Sequence, residues 1–379
     1  MMTHYKMSDV AVEVNDRENN PASSKYDRFV GLEHYVSGEV IIRNNGSTEN
    51  LESTMKIFQS GDVLVARRNV YLKRASMVDF DGLTSGDSIV LRAKDPVIGR
   101  ILPFVLNTDA FWDFADQYSD GTMSKRLSPK TLMTYEFDLP DEEELEKFAD
   151  LLWAANDTRE SYQALLRQTD ELVKSQFIEL FGDPILNEKG WPSKSIKESA
   201  VRLSDGPFGS NLKSEHYSET GVRVIRLQNI CEGYFLDDDK AYVSLEHYEK
   251  IKKYTCKSGE IIIGTLGEPN LRACIIPEYI GYAINKADCV HYIPNPEYLD
   301  TAFVLGFLNS PIVLNYALGD AHGNTRQRIS SGQISKMPII IPPMELQKQY
   351  AVIIQQTDKS KYYEQNRVFS VTRGGELCA

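Results

Sequence analysis

Arginines, lysines and carboxamide side chains fall together in polar segments between the apolar runs of this 379-residue chain. Arginine can form two parallel hydrogen bonds with a phosphate or with the edge of guanine, and asparagine or glutamine can do so with adenine. Twenty tyrosines could add phosphate contacts and stacking. These side chains indicate nucleic-acid binding, and we expect at least one of Arg226, Arg272 and Arg326 to contact a base edge. The candidate binding residues are Arg67, Arg68, Lys73, Arg74, Lys125, Arg126, Arg223, Arg226, Asn229, Asn270, Arg272, Asn324, Arg326, Gln327 and Arg328.

Motifs for catalysis or for a bound cofactor are missing from the sequence. The glycine-rich segment Asp205–Ser210 lacks the Gly-Lys-Ser of a phosphate-binding loop and predicts a turn. Asn295–Tyr298 has glutamate where the Asn-Pro-Pro-Tyr motif of adenine methyltransferases has a second proline, so it also predicts a turn. Asp237–Asp239 lacks the glycine and distal glutamate of a calcium loop and predicts a solvated loop. The histidines at 216, 247, 291 and 322 have no metal-ligand spacing. We expect no catalytic residue, no metal site and no cofactor of the chain's own.

Composition excludes several classes of protein. Hydrophobic residues make up 42% and charged residues 25%, the balance of a globular chain with room for two or three domains. The longest apolar runs, such as Ile339–Ile341, are far short of the ~20 residues that span a bilayer. The N-terminus has no apolar signal-peptide core, and the five cysteines form no Cys-x-x-Cys pair. We therefore expect no membrane association and a location in the reducing cytoplasm.

One acidic segment predicts a long helix in the middle of the chain. Residues 138–180 contain twelve acidic and four basic residues, which account for most of the formal net charge of −12. From Asp141 to Phe181 there is no glycine or proline, and Gly182-Asp183-Pro184 is a helix stop. A 3-4 spacing forms a stripe that predicts packing against a partner helix. The stripe comprises Leu145, Phe148, Leu152, Ala155, Arg159, Tyr162, Leu166, Thr169, Val173, Gln176 and Leu180.

The two halves of the chain repeat each other at an interval of about 200 residues. Arg28–Glu33 matches Arg223–Gln228, and Ser60–Val65 matches Ser258–Ile263. The repeat predicts two similar globules, each followed by a helix, whereas the segment 185–221 has no clear counterpart in the first half. A lone arginine is more often a surface ion-pair partner, so the case for binding depends on recurrence in both halves. Identical pairs include Gly121/Gly323, Arg126/Arg328, Ser128/Ser330, Pro140/Pro342, Glu143/Glu345 and Ala149/Ala351.

Three segments resemble the DNA-specificity subunits of type I restriction–modification systems. Ser204–Lys213 resembles the entry to a target-recognition domain of that family. Gly323–Ser330, followed by Met337–Glu345, resembles the end of such a domain and the start of its helical arm. Gln176–Pro184 resembles the end of the central arm. The resemblance covers residues 20–365, and it is stronger in the second half.

This resemblance implies an α+β fold with two α/β target-recognition domains in tandem repeat. Long helices would separate and follow them and form an antiparallel coiled-coil spacer. It also implies a non-catalytic subunit in which each globule reads one half of a bipartite, asymmetric site in double-stranded DNA. The helices would set the spacer and dock methyltransferase subunits. Nuclease and translocase subunits would complete a restriction enzyme, and the partners would bring S-adenosylmethionine, ATP and magnesium.

The sequence and the resemblance together predict five regions and leave two other functions open. The regions are a first recognition domain (1–140), a central arm (141–184), a second recognition domain (185–342), a shorter second arm (343–366) and a tail (367–379). One alternative is a helical protein-binding scaffold or an acidic DNA mimic that does not read sequence. The other is a self-sufficient restriction–methylation enzyme. Self-association through the arms is a further expectation.

Overall fold

The computed structural model describes residues 2–121, 124–267, 269–319 and 328–357. The chain divides into two compact units, Met1–Ser161 and Tyr162–Ala379, each with helices and sheets. The mixed helix and sheet content predicted from the sequence is confirmed. Residues Asn324, Arg326 and Gln327, the end of the second arm beyond 357 and the tail 367–379 lie outside the described residues.

Unit 1 contains short strands and helices followed by the start of one long helix. Its elements in chain order are β1 (Met2–Lys6), α1 (Met7–Val10), β2 (Ala11–Val14), β3 (Arg17–Glu18), β4 (Arg28–Val30), β5 (Gly46–Ser47), β6 (Met55–Phe58), β7 (Val63–Ala66), β8 (Ala75–Met77), β9 (Gly82–Thr84), β10 (Ser88–Ala93), α2 (Pro96–Val105), α3 (Asp109–Gln117), α4 (Pro129–Leu132), β11 (Glu136–Pro140) and α5 (Glu142–Phe181). Residues 162–181 of α5 belong to unit 2.

Unit 2 contains a similar set of elements. They are β12 (Ser193–Ser195), β13 (Ala200–Ser204), β14 (Tyr217–Ser218), β15 (Val222–Ile225), β16 (Ala241–Val243), α6 (Leu245–Ile251), β17 (Thr255–Lys257), β18 (Ile261–Gly264), β19 (Ala273–Ile275), β20 (Tyr282–Asn285), β21 (Cys289–Pro294), α7 (Thr301–Leu308), α8 (Pro311–Leu318), α9 (Ser331–Lys336) and β22 (Pro338–Ile340). A further helix is described over 344–357.

The two units have matching sheet topology. In unit 1 an antiparallel four-stranded sheet has the order β2-β10-β7-β8, and in unit 2 the order is β13-β21-β18-β19. A second sheet contains the run β6-β9-β4-β5 in unit 1 and β17-β20-β15-β16 in unit 2, with β4–β9 and β15–β20 as the parallel pairs. The two-stranded sheets β1–β11 and β12–β22 also correspond.

One expectation about the repeat is wrong. The segment 185–221 was expected to have no counterpart in the first half, yet β12 and β13 take the sheet positions that β1 and β2 take in unit 1. The reason is that strands pair through backbone N–H and C=O groups, so the two units can share a sheet topology even where their side chains differ.

The four-stranded sheet in each unit is buried on both faces. Side chains alternate along a strand, so Val63 and Val65 of β7 face the helical core of unit 1 while Leu64 and Ala66 face the second sheet. In unit 2, Ile261 and Ile263 face the helices α7 to α9, and Ile262 faces the second sheet. Each unit is therefore layered as helices, sheet and sheet.

The long helix predicted over 141–181 is confirmed as α5, and it ends as predicted. Gly182 has φ +77° and donates its N–H to the Ile178 carbonyl at 2.8 Å, which is a left-handed helix cap. The predicted stripe is wrong at one position, because Ala155 is exposed and the adjacent Asn156 is buried; its other ten positions are buried or partly buried. Arg159 is part of the packing: its guanidinium donates to the Gly38 carbonyl at 3.1 Å and to Asn156 Oδ1 at 2.8 Å.

Within unit 2, α5 is held to the helix 344–357 by aromatic packing. The buried rings of Phe177 and Phe181 contact Phe303 of α7 and Tyr350, with ring centroids 4.8 to 5.6 Å apart. Such contacts combine a large buried apolar area with favourable edge-to-face geometry. The end of α5 is therefore part of the unit 2 core.

Across the described ranges, no single helix is long and apolar enough to cross a membrane. The bent pair α7 and α8 passes that test by length and composition alone.

We predict that Phe177→Ala lowers the free energy of unfolding of unit 2 by about 3–5 kcal/mol, the usual range for a fully buried aromatic ring. The matched control is Ile178→Ala on the next residue of α5, which is partly exposed and should cost under about 1.5 kcal/mol. Peptide-resolved hydrogen exchange in urea would measure both changes. Equal costs for the two variants would contradict this packing.

Candidate nucleic-acid interface

In unit 1 the structure brings the predicted basic residues of two distant segments together. The β7–β8 loop, residues 67–74, pairs with residues 124–127: the Asn69 N–H donates to the Lys125 carbonyl at 2.9 Å, and the Leu127 N–H donates to the Arg67 carbonyl at 2.8 Å. Arg68 and Arg126 form an isolated antiparallel bridge. Arg68 and Arg126 are therefore neighbours although 58 residues separate them in the sequence.

The β7–β8 loop has an unusual backbone that recurs in unit 2. Asn69 and Lys73 have φ values of 58° and 48° on either side of the short 3₁₀ helix Val70–Leu72. The β18–β19 loop, residues 265–272, has the same length, and Gly267 and Leu271 have positive φ at the equivalent positions. Left-handed backbone costs ~1–2 kcal/mol for a residue other than glycine, and such strain is concentrated at functional sites.

This backbone presents an apolar and aromatic tip beside the arginines. Tyr71 is 64% exposed and the adjacent Leu72 is also exposed, both on the 3₁₀ turn of the loop. A tyrosine ring held out of the core can stack on a base or contact a phosphate. The sequence alone did not single out Tyr71 among the twenty tyrosines, because exposure depends on the conformation of the loop.

Both units place an exposed arginine against a carboxylate at the same point of the fold. In unit 1, Arg126 Nη2 lies 2.7 Å from Asp87 Oδ1, and Arg68 Nη1 lies 3.8 Å from Asp87 Oδ2. In unit 2, Arg328 Nη2 lies 3.2 Å from Asp288 Oδ1. The side chains of the three arginines are 45% to 49% exposed, so nucleic acid can reach them. The sequence analysis did not single out Asp87 and Asp288. Their position is a signal that could have found them, because each directly precedes an equivalent strand, β10 or β21.

The other basic residues of unit 1 are bound to the protein itself. Lys73 Nζ lies 2.6 Å from Asp109 Oδ1, and Lys125 Nζ lies 2.6 Å from Asp116 Oδ2. The Arg74 guanidinium donates to the carbonyls of Leu32 and Arg68. Arg67 is half-buried, and its Nε is among the buried polar atoms without a hydrogen-bond partner in the described ranges.

The predicted residues at the start of the second repeat form an internal ionic network. Arg223 is buried and donates to Asp237 Oδ1 at 2.6 Å and to the Asp239 carbonyl at 2.7 Å. Arg226 makes a two-point contact with the Asp239 carboxylate, and Asn229 donates to the carbonyls of Leu236 and Asp239. Asp237–Asp239 is a loop, as expected, but only Asp238 is fully exposed, because the carboxylates of Asp237 and Asp239 bind these arginines.

Arg272 supports the β18–β19 loop from inside. Its guanidinium donates to four backbone carbonyls, of Leu227, Ile230, Leu266 and Pro269, at 2.5 to 3.0 Å. Arg74 and Arg272 are equivalent in the repeat, and their bonds to Leu32 and Leu227 are equivalent as well. The neighbouring Asn270 is buried, and its Oδ1 accepts from the Leu271 N–H.

Two of the identical repeat positions have a clear physical role. Ser128 and Ser330 cap α4 and α9, accepting from the N–H groups of Thr131 and Gln333 at 3.0 and 3.2 Å. The conserved spacing from Arg126 to Ser128, and from Arg328 to Ser330, therefore ties each exposed arginine to the first turn of a helix. A serine at this position typically contributes ~1 kcal/mol to helix stability.

The remaining titratable groups of unit 2 offer little chemistry. Burial raises the pKa of the Cys256 and Cys274 thiols to about 12, and it also raises the pKa of Cys289. The thiolate forms are therefore scarce at neutral pH. Burial lowers the pKa of His291, which bonds Glu260 at 2.7 Å, although that carboxylate opposes the shift. No group of three or more His, Cys, Asp or Glu in the described ranges could hold a metal ion.

Unit 2 also has an open groove of about 1240 Å³ beside the end of α5. Its lining is largely apolar, including Phe177, Tyr234 and Tyr279. Carboxylates of Asp170, Glu171 and Glu232 join that lining. Of its basic residues, Lys174 lies 3.9 Å from the Glu171 carboxylate, and Arg272 is bonded to backbone carbonyls. This groove is therefore unsuited to a phosphate backbone.

The fold and the exposed arginines define a class, a two-unit α+β protein with a repeated polar surface. Residues 210–367 match the family model described as the type I restriction modification DNA specificity domain. The type I restriction enzyme MjaIX specificity subunit of Methanocaldococcus jannaschii is 22% identical over 329 residues, which cover 80% of this chain and 72% of that relative. The S subunit of a type I restriction–modification system from M. genitalium shares the fold, with a TM-score of 0.54 and 13% identity over 100% of this chain and 94% of that chain.

These matches confirm the resemblance found in the sequence. The chain is similar to the specificity subunits of type I restriction–modification systems along most of its length, and residues 210–367 match their DNA specificity domain. Both of these relatives are named specificity subunits, in line with the expectation from the sequence that the chain has no catalytic residue.

We predict that Arg272→Met destabilises unit 2 by about 3 kcal/mol, because four partly buried carbonyls lose their donor at once. Methionine keeps much of the apolar stem, so the loss reports the hydrogen bonds. Arg328→Met, which removes an exposed arginine, is the control and should change stability by under about 0.5 kcal/mol. Urea unfolding followed by hydrogen exchange would measure both. An unchanged stability for Arg272→Met would show that the four bonds are dispensable.

Proposed function

We propose that this chain is the DNA-recognition subunit of a type I restriction–modification complex in which each unit reads one half of a bipartite, asymmetric site. The observation that carries the proposal is the recurrence, in both units, of an exposed arginine beside an equally long loop with the same left-handed positions. Two copies of one binding surface suit a site with two separate halves. The family model matched by residues 210–367 is a DNA specificity domain, which supports DNA as the ligand, and we propose that this DNA is double-stranded.

The residues proposed to contact DNA are the exposed ones of this surface. They are Arg68, Tyr71 and Arg126 in unit 1 and Arg328 in unit 2. Asn324, Arg326 and Gln327 precede Arg328 in the sequence and remain predicted DNA contacts. Arg74, Arg223, Arg226, Asn229 and Arg272 are proposed to shape the loops from within, because their donors already have protein partners.

We further propose that α5 and the helix beginning at 344 form the antiparallel coiled-coil spacer between two target-recognition domains. Support comes from the aromatic contacts of Phe177 and Phe181 with Tyr350. Methyltransferase subunits would dock on these helices, and nuclease and translocase subunits would join where the system also restricts. The partners would carry S-adenosylmethionine, ATP and magnesium. The complex would work in the cytoplasm, and self-association through the arms is part of the proposal.

The test is to co-express the chain with a type I methyltransferase subunit and to map methylated adenines by sequencing the cellular DNA. We expect one bipartite motif with a fixed spacer. The purified chain alone, incubated with S-adenosylmethionine, should label no DNA, which separates the proposal from a self-sufficient enzyme. Complexes that form without any sequence-specific methylation would favour the scaffold or DNA-mimic alternative.

Exchange of residues 1–140 for the first domain of another specificity subunit should change one half of the methylated motif. The other half should persist, because each unit has its own loop and arginines. Methylome mapping of both chimaeric and parental complexes is the measurement. If both half-sites change together, the two units do not read DNA independently.

A seven-residue helical insertion after Thr158 of α5, or in both arms, should lengthen the spacer of the methylated motif by about three base pairs. Seven residues keep the 3-4 stripe in phase and add about 10 Å, and DNA rises about 3.4 Å per base pair. A four-residue insertion is the control, since it rotates the stripe and should reduce activity. An active heptad variant with an unchanged spacer would rule out α5 as the ruler.

A further inference from the structure

Asp87 and Asp288 hold equivalent positions in the two repeats, each facing an arginine that the proposed function assigns to DNA. In unit 1 the carboxylate of Asp87 faces both Arg126 and Arg68. In unit 2 the carboxylate of Asp288 faces Arg328. The aspartate side chains are 28% and 31% exposed, so the carboxylates lie partly recessed behind arginines that reach solvent.

The backbone fixes these carboxylates at the base of the loops in the same way in both units. The Asp87 carbonyl accepts the Arg67 N–H at 2.9 Å, and the Asp288 carbonyl accepts the Thr265 N–H at 3.0 Å. Arg67 and Thr265 are in turn bonded through their carbonyls to the N–H groups of Leu127 and Ile329, at 2.8 and 3.1 Å. Each aspartate is therefore bonded to the first residue of the loop, and that residue is bonded to the segment that carries Arg126 or Arg328.

A carboxylate in this position competes with DNA phosphate for the guanidinium. The carboxylate is planar and the phosphate is tetrahedral, but the oxygens of both accept hydrogen bonds from the same guanidinium N–H groups. Because the ion pairs are exposed, each is weak and can be displaced. When DNA of arbitrary sequence binds, its phosphate only replaces the Asp87 carboxylate at Arg126, so the net gain in binding free energy is small. A cognate site adds base contacts, and these favour replacement of the carboxylate by the phosphate.

We propose that Asp87 and Asp288 are specificity-determining residues that act as built-in competitors of the DNA backbone. They orient the arginines and weaken binding to DNA of arbitrary sequence more than binding to the cognate site. This inference rests on the proposed function. It goes further by naming the residues that select against non-cognate DNA. The repeat explains why both halves of the site need the same device, since non-specific binding through either unit alone would hold the complex on the wrong sequence.

The experiment uses the full chain assembled with its methyltransferase subunit and compares the wild type with Asp87→Asn, Asp288→Asn and the double variant. Affinity is measured for a duplex containing the mapped motif and for a random duplex of equal length, from about 50 to 200 mM salt. We expect each substitution to strengthen random-duplex binding about threefold or more at low salt. The slope of log affinity against log salt should become steeper by up to about one per aspartate. Cognate affinity should change less, so the specificity ratio falls.

The matched control is Asp150→Asn, which removes the same charge from another exposed arginine–aspartate pair of unit 1, Arg100–Asp150, with atoms 2.6 Å apart. Asp87→Glu keeps the charge and should stay close to the wild type. Equal gains for Asp150→Asn and Asp87→Asn would overturn the inference, because the effect would be one of net charge. Unchanged random-duplex affinity in both Asn variants, with a normal melting temperature, would overturn it as well.

The outcomes also separate this inference from the proposed function. If the wild-type complex binds both duplexes alike and methylates no motif, the proposed function itself fails. If the wild type prefers its motif and the Asn variants keep the same preference, only the role of the aspartates fails. A lower affinity of Asp87→Asn for both duplexes together with a lower melting temperature would make Asp87 a structural residue.

Discussion

Each unit depends on one four-stranded antiparallel sheet that is buried on both faces. An antiparallel sheet usually leaves one face to solvent, so burial of both faces requires a second layer on each side. The strands β7 and β18 meet this requirement with uninterrupted apolar residues, Val63–Ala66 and Ile261–Ile263. Helices cover one face and the second sheet covers the other, so only the ends of the strands of this four-stranded sheet and the loops between them reach the surface. The functional surface is therefore a consequence of how the sheet is covered.

The arginines divide into two groups according to this layering. Arg74 and Arg272 point inward from the loops and donate to backbone carbonyls, most of them partly buried. Arg126 and Arg328 reach solvent, and each is paired with one carboxylate, which we propose that nucleic acid displaces. The inward group makes the loops rigid, and the outward group provides exchangeable contacts. A rigid loop with exchangeable contacts is what sequence-specific recognition requires, because base contacts must be correctly placed before they add to phosphate contacts.

Much of this architecture could be predicted from the sequence, and the failures have physical causes. The helix α5, its end at Gly182 and the repeat follow from periodicity, helix-stop residues and internal matches, all local signals. The first-half basic cluster was also predicted, and the structure brings its segments together. The partners of Arg272 could not be predicted, because its four carbonyls come from two separate segments, 227–230 and 266–269, and the first lies more than 40 residues away in the sequence. The equivalence of β12 and β13 to β1 and β2 was missed, because backbone hydrogen bonds can pair strands in the same way when the side chains differ.

The central claim is that the loop carrying Tyr71 faces DNA in the assembled complex. The most direct measurement places a photo-crosslinking amino acid at position 71 and, as a control, at Tyr279, a tyrosine of similar exposure in the apolar groove of unit 2. With a duplex containing the methylated motif, position 71 should crosslink to one half-site and position 279 should give no DNA adduct. An active complex that crosslinks to DNA from position 279 but never from position 71 would contradict the account.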